Sequence, residues 1–338
     1  MRLMDCTLRD GANVIGKGFD ARLTKMMVEG LIASNIKLIE FGNCLGLGAY
    51  EEDNSIAPLN DIEYLELIQP YLCQAEIGMF MGVKNAVEKH IEVGARYHLN
   101  FLRIGANAGD GKNACDGIRL VKKYGMKCRY SMMKGYILSP EALAEEAAML
   151  ESCGLDEITI MDSAGTMMPH QVSDYVSALV KRVRIPVAFH GHNNLGLSVA
   201  NALAAEEAGA SVFDCGLMGM ARSAGNCATE LAVAVFQRLD KLQEIDLMKL
   251  LHFIDDDLAP AMAEYGYKAP VQPLDLVYGL SGCHSSFHNR FTEAAEKKGV
   301  DLYSLICQVS KIDQKAPSKE LIEQIADNIS AGKEDYER

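Results

Sequence analysis

Residues 157–192, EITIMDSAGTMMPHQVSDYVSALVKRVRIPVAFHGH, decide the fold. Glu157–Met161 is a short apolar run rich in branched residues, the pattern of a strand buried on both faces. Pro169–Val183 then carries helical periodicity and opens on proline, which is tolerated at a first helical position because the N–H it lacks would have no partner there. Pro186–Phe189 is a second apolar run, so strand, crossover helix and strand together make a parallel βαβ unit.

The same alternation extends outward in both directions. Strands are expected at Arg2–Leu8, Lys37–Phe41, Glu76–Met81, Phe101–Ile104, Lys127–Met132 and Ser211–Cys215, in addition to the two above. Helical segments such as Leu23–Ser34, Pro140–Cys153 and Gly196–Ala208 lie between them. Eight alternations in about 240 residues predict an α/β chain folded as a closed (β/α)8 TIM barrel rather than an open doubly wound sheet. After Leu239 only helical patterns follow, at Leu247–Tyr265, Leu274–Leu280, Ser285–Lys298, Leu302–Ser310 and Lys319–Asn328. A proline-containing connector at 268–273 divides a catalytic barrel, residues 1–267, from a helical C-terminal module, residues 268–338.

Composition sets bounds on function. The 338 residues are 49% hydrophobic and 23% charged, with a formal net charge of −13. Such an acidic balance disfavours nucleic acid or an anionic membrane as partner, so an anionic small substrate needs local positive charge from a metal or a few arginines. No apolar run reaches the roughly 18–20 residues of a membrane span, and the N-terminus turns polar too early for a secretory signal. The ten cysteines include no CxxC pair and read as reduced, buried thiols of a cytoplasmic enzyme.

Reactive groups of such barrels gather at the C-terminal ends of strands. The first strand ends in Thr7-Leu8-Arg9-Asp10-Gly11 and the seventh in His190-Gly191-His192-Asn193-Asn194. Histidines at i and i+2 on a strand end face one side and, with a carboxylate from a nearby strand end, form a ligand set for a divalent cation. Asp10, His190 and His192 are therefore expected to converge. The loop after the eighth strand, Gly216 to Asn226, ends in an amide whose oxygen is a candidate further ligand.

Four segments, Asp5-Cys6-Thr7-Leu8-Arg9-Asp10-Gly11, Asp162-Ser163-Ala164-Gly165, His190-Gly191-His192-Asn193-Asn194-Leu195 and Ala224-Gly225-Asn226, resemble the barrel metallolyase superfamily of hydroxymethylglutaryl-CoA lyase. Within it the match is closest to the 4-hydroxy-2-oxovalerate aldolases, because Val199-Ala200-Asn201 and the tail segment Gly279 to Phe287 also fit. The resemblance spans essentially the whole chain. It implies a divalent ion, Mn2+ or Mg2+, on Asp10, His190 and His192, with Asn226 or water completing the shell, and a pyruvate enolate as intermediate. It also implies that Arg9 stabilises that enolate, that Ser163 hydrogen-bonds the substrate carboxylate, and that Asp5 and Asp162 orient their neighbours. Its further implications are small 2-oxo acid and aldehyde substrates, and a tail that pairs with an aldehyde dehydrogenase or supports a homo-oligomer.

Two departures from the aldolase pattern concern the acceptor side. Where the aldolases carry a basic histidine, this chain has Asn13, which cannot take a proton at neutral pH, and where a tail tyrosine is expected it has His284. His284 reads either as a replacement base or as a polar group at the junction with the tail. Arg222 stands where a small residue is usual and reads either as a surface arginine or as a binder of carboxylate or phosphate on a non-standard acceptor. Two other functions compete with the aldolase. An acyl-CoA-dependent Claisen synthase or lyase is disfavoured by Ala12-Asn13 in place of Glu-Gln, and a non-catalytic assembly subunit by the retention of Arg9, Asp10, His190 and His192.

Overall fold

The computed structural model of the protein describes residues 1–51, 57–267 and 273–332. Eight parallel strands close into a barrel in chain order: β1 (Arg2–Asp5), β2 (Leu38–Phe41), β3 (Glu76–Gly82), β4 (Phe101–Asn107), β5 (Lys127–Met133), β6 (Glu157–Asp162), β7 (Val187–Gly191) and β8 (Val212–Cys215). Closure is by β1 against β8, with Arg2 opposite Val212 and Asp5 opposite Cys215. Helices including Ala21–Ala33, Pro140–Ser152, Pro169–Arg182 and Ser198–Glu207 cover the outside. The main hydrophobic core fills the annulus between strands and helices, while Met4, Cys6, Leu38, Phe101, Ala188 and Val212 form a smaller apolar cluster inside the barrel. Among the described residues no helix is long and apolar enough to cross a membrane.

Several boundaries differ from the sequence expectation for identifiable reasons. β1 stops at Asp5, not Leu8, because the Asp5 carboxylate accepts from the Thr7 N–H and the chain turns, with the Arg9 and Asp10 amides both donating to the Cys6 carbonyl. β4 runs on to Asn107, since Gly105 leaves room for Phe80, whose ring would lie 2.4 Å from any Cβ there. β7 includes His190, opposite Asp214 of β8.

The helix expected over Leu247–Tyr265 is broken into Leu247–Phe253, a π-helical turn at Ile254–Leu258 and Ala259–Ala263. Pro260 has no N–H to give the preceding turn, which accounts for the interruption. The cysteine reading also needs correction: Cys115 and Cys153, 38 residues apart, form a disulfide between a helix start and the end of Pro140–Ser152.

The C-terminal helices Pro273–Ser281, His288–Lys298, Leu302–Ser310 and Lys319–Ser330 have a hydrophobic cluster of their own around Phe291, Leu305, Ile306 and Ile325. The connector expected at 268–273 falls on residues 268–272, outside the described residues. This bundle touches the barrel at its C-terminal mouth. Tyr136, just after β5, donates to the Gly282 carbonyl at 3.0 Å, Lys134 reaches the Lys315 carbonyl, and a Cβ on Gly279 would sit 2.8 Å from that of Asn194.

Candidate active site

The turn after β1 delivers Arg9 and Asp10 into the mouth. Arg9 is buried, its Nε donating to Glu40 Oε1 at 2.6 Å and its Nη1 lying 3.1 Å from Asp10 Oδ1, with its guanidinium carbon 4.9 Å from the centre of the Phe80 ring. Its Nη2 is buried without a partner. Burial opposes the charge on Arg9, but Glu40 and Asp10 outweigh it and raise the pKa. Asp10 is the reciprocal case, where burial would raise the carboxyl and Arg9, with the two histidines, holds it well below the ordinary range.

His190 and His192 meet Asp10 from β7. The Nε2 of His190 is 3.5 Å from Asp10 Oδ2, that of His192 is 3.9 Å away, and the two rings meet edge-on with centroids 5.2 Å apart. One candidate ligand atom from each of the three residues lies within 4.8 Å of the others. Asn226 donates through Nδ2 to Asp10 Oδ2 at 3.0 Å, while its Oδ1 and the Nδ1 of His192 are buried without partners. Burial lowers the pKa of His192 to about 4, which keeps the ring neutral and able to donate a lone pair.

The Nε2 atoms of both histidines lie beside the buried Asp10 carboxylate, and the Asn226 Oδ1 is buried without a partner, a donor set that fits a divalent cation because a buried lone pair is costly unless something takes it up. A second group, Cys6, His190 and Asp214, also lies close together. There, however, Arg103 already occupies the space, 3.8 Å from Cys6 Sγ and hydrogen-bonded to Asp214.

Beneath the three candidate ligands is a polar layer that sequence reasoning missed. Arg103 of β4 is fully buried and bonds Glu40 of β2, Asp214 of β8 and Thr159 of β6. Glu40 in turn holds Arg9, and Asp214 Oδ2 lies 3.0 Å from His190 Nδ1. Each of β2, β4 and β8 carries one charged residue among apolar ones, and a fully buried charge needs a partner. That was the available signal.

Around the three candidate ligands is a cavity of about 260 Å³ whose walls include Arg9, Ser163, Arg222 and His284. Ser163 Oγ accepts from the Lys134 N–H at 2.9 Å and still lines the cavity. Asp162 accepts from the Thr166 and Met167 amides, and Asp5 from the Thr7 amide and the Thr229 hydroxyl, so both carboxylates brace loops and do not face the cavity themselves. Burial raises each to about 6. Gly165, at φ +59°, brings the β6 loop against β7: a Cβ there would meet the His192 carbonyl oxygen at 2.7 Å. Asn13 donates to the Asp10 carbonyl at 2.8 Å and lines an adjoining recess, not the central cavity.

His284 comes from the tail, its ring centroid 6.4 Å from that of His192. The Ser286 N–H donates to its Nδ1 at 3.1 Å, and the Ser286 hydroxyl lies 2.8 Å from the same nitrogen. A neutral ring held this way carries its hydrogen on Nε2.

Comparison with known proteins gives the chain a family. The HMGL-like family model matches residues 1–256. The 4-hydroxy-2-oxovalerate aldolase of Carboxydothermus hydrogenoformans is 30% identical, covering 98% of this chain and 97% of its own. That of Pectobacterium atrosepticum is 31% identical, covering 97% and 95%. In fold alone, the carboxyl transferase domain of Rhizobium etli pyruvate carboxylase is similar at a TM-score of 0.77 and 16% identity, covering 98% of this chain and 60% of that one. With its barrel matched by the family model and its full length by these relatives, the chain belongs to the HMGL-like family.

Proposed function

We propose that this protein is a divalent-metal-dependent aldolase that cleaves or forms the carbon–carbon bond next to the carbonyl of a 2-oxo acid, with pyruvate as the enolisable half. The observation that carries the reading is the convergence of Asp10, His190 and His192 at the barrel mouth beside the unpartnered Nη2 of Arg9. Asp10, His190 and His192 would hold the ion, with Asn226 as a further donor. A set of oxygen and imidazole ligands without thiolate suits Mg2+ or Mn2+. When bound, such an ion supplies Lewis acidity to the oxygen on which negative charge develops.

The chain's own residues do the rest. Arg9 is fixed by Glu40 and Asp10, lines the cavity and keeps one N–H pair without a partner, which makes it a preorganised donor for an enolate oxygen. Ser163 offers a hydroxyl to the substrate carboxylate. The tail, docked through Tyr136 and Gly279, narrows access of water to the mouth. His284 contributes an Nε2–H donor at the opposite wall.

The test is metal analysis together with exchange of the pyruvate methyl protons for deuterium. The expected result is about one ion per chain and metal-dependent exchange, with binding lost in Asp10→Ala, His190→Ala and His192→Ala and weakened in Asn226→Ala. Full metal occupancy in two of the first three variants, or no exchange with either Mg2+ or Mn2+, would overturn the reading.

A further inference from the structure

We infer that the second substrate of this site carries a carboxylate of its own, bound by Arg222, so that the bond joins pyruvate C3 to the carbonyl carbon of an oxo acid. This rests on the aldolase reading above and names its substrate class.

Arg222 lies half-buried on the loop after β8. It lines the central cavity together with Asp10 and His192, and also the adjoining recess of about 320 Å³ with Asn13 and Tyr267. The buried arginines Arg9, Arg103 and Arg129 all meet carboxylates. Among the described residues no carboxylate lies within ion-pair distance of Arg222, and no hydrogen bond holds its guanidinium. In a chain of net charge −13 an unpaired cation in a half-buried wall calls for an anion from outside.

The loop that carries Arg222 is rigid. Gly225, at φ +83°, lies so close to Gly219 that a Cβ would meet its carbonyl oxygen at 2.0 Å. The Gly225 N–H donates to the Arg222 carbonyl at 3.0 Å, and Asn226, next along, donates to Asp10. The backbone that carries Arg222 is thus tied to the loop holding Asn226 and so to the three candidate ligands, which places the guanidinium within reach of a small second substrate.

The electrostatic surroundings point to a single negative charge. Arg222 shares the wall of the central cavity with His192 and His284. His284 offers only a neutral Nε2–H, and Asn13 an amide. One guanidinium with neutral donors balances a carboxylate, whereas a phosphate dianion would remain half-neutralised. In the synthetic direction pyruvate C3 loses a proton, the C3–C bond forms, and the acceptor oxygen gains a proton. The product is a 4-hydroxy-2-oxo dicarboxylate, with no oxidant or reductant involved.

The experiment uses the Mn2+-loaded protein and measures kcat/KM for condensation of pyruvate with glyoxylate and with acetaldehyde, which are similar in size and differ in charge. Glyceraldehyde 3-phosphate against glyceraldehyde forms the phosphate arm. Because glyoxylate is intrinsically more reactive, the quantity read is the glyoxylate-to-acetaldehyde ratio in wild type relative to Arg222→Met. That ratio is expected to fall about 10- to 100-fold in the variant, the value of a charge-assisted hydrogen bond, and to recover in part in Arg222→Lys. In parallel, calorimetry compares 2-oxoglutarate with 2-oxobutanoate, where the distal carboxylate should strengthen binding in wild type and not in Arg222→Met.

An unchanged ratio in Arg222→Met, or a preference for the phosphate acceptor that this variant removes, would overturn the inference. Pyruvate exchange with no charge preference sinks this inference alone. Absent exchange sinks the aldolase reading, while the calorimetric pair still decides whether Arg222 binds a carboxylate.

Discussion

His190 Nδ1 lies 3.0 Å from Asp214 Oδ2, and the same oxygen is hydrogen-bonded by Arg103, which also holds Glu40 and through it Arg9. The carboxylate fixes the ring so that Nε2 turns toward Asp10 as a lone-pair donor. Asp214→Asn should therefore weaken metal binding about 10- to 100-fold, measured by competition with a chelating dye. It should also destabilise the fold by about 3–5 kcal/mol, because Arg103 has no route to water and loses one of its two anions. Undiminished metal affinity in a folded Asp214→Asn protein would mean that His190 is not a ligand.

Arg9 acts through all three nitrogens of its fork: Nε to Glu40, Nη1 to Asp10 and a free Nη2. An ammonium is a point charge and cannot keep both anchors while aiming at a third position. Arg9→Lys is expected to lower kcat about 100- to 1000-fold, as loss of one donor to a developing oxyanion does, with KM changed only a few-fold. A loss confined to KM would assign Arg9 to ground-state binding.

The barrel was legible because period and composition agree: branched apolar strands buried on both faces cannot be mistaken for the helices between them. The convergence of Asp10, His190 and His192 was legible because the two histidines sit at the end of β7 and Asp10 follows β1 by one short turn, so local order in the chain puts all three at the same mouth. The polar layer was not. Pairing Arg103 with Asp214 depends on the barrel bringing β4 and β8 within reach across its interior, which neither strand's own sequence states. The Cys115–Cys153 disulfide is hidden for the same reason, since it depends on how two outer helices lie side by side. His284 was visible as a departure from the aldolase pattern, but its hydrogen-bonded state depends on a turn at Ser286 that residue type alone does not specify.

At the opposite end of the barrel Glu76 opens β3 between Arg2, Lys127 and Arg129. Burial would raise its pKa, yet hydrogen bonds from Arg2 and Arg129 and their charges lower it to about 2. A folded-state pKa below the unfolded value means stability that is present above about pH 4.5 and lost as pH falls toward 2. Glu76→Gln should cost about 1–3 kcal/mol at pH 7, with the gap from wild type closing between pH 4.5 and 2. Urea midpoints across that range measure it, and a gap that persists at pH 2 would show that shape, not charge, is what glutamine loses.

His284 presents the sharpest choice, between a base and a donor. To act as a base through Nε2 the ring would first have to shift its hydrogen to Nδ1 and would end as an imidazolium, whose Nδ1–H points at the Ser286 N–H and replaces a hydrogen bond with a repulsion. Although part of the side chain remains open to solvent, burial and then the neighbouring His192, Arg222 and Lys134 lower its pKa, so the protonated ring is disfavoured on those grounds as well. As a neutral donor, His284 can hydrogen-bond an acceptor's oxygen or carboxylate through Nε2 without changing its own protonation. Glutamine separates the roles, since its amide N–H reaches about as far as Nε2 but accepts no proton at neutral pH. His284→Gln is expected to retain most of the turnover that His284→Ala loses, and the wild-type pH profile should show no limb that the alanine variant removes. If glutamine proves as inactive as alanine while both variants still exchange the pyruvate methyl protons, His284 takes a proton after all, and the Ser286 contact must open during the reaction.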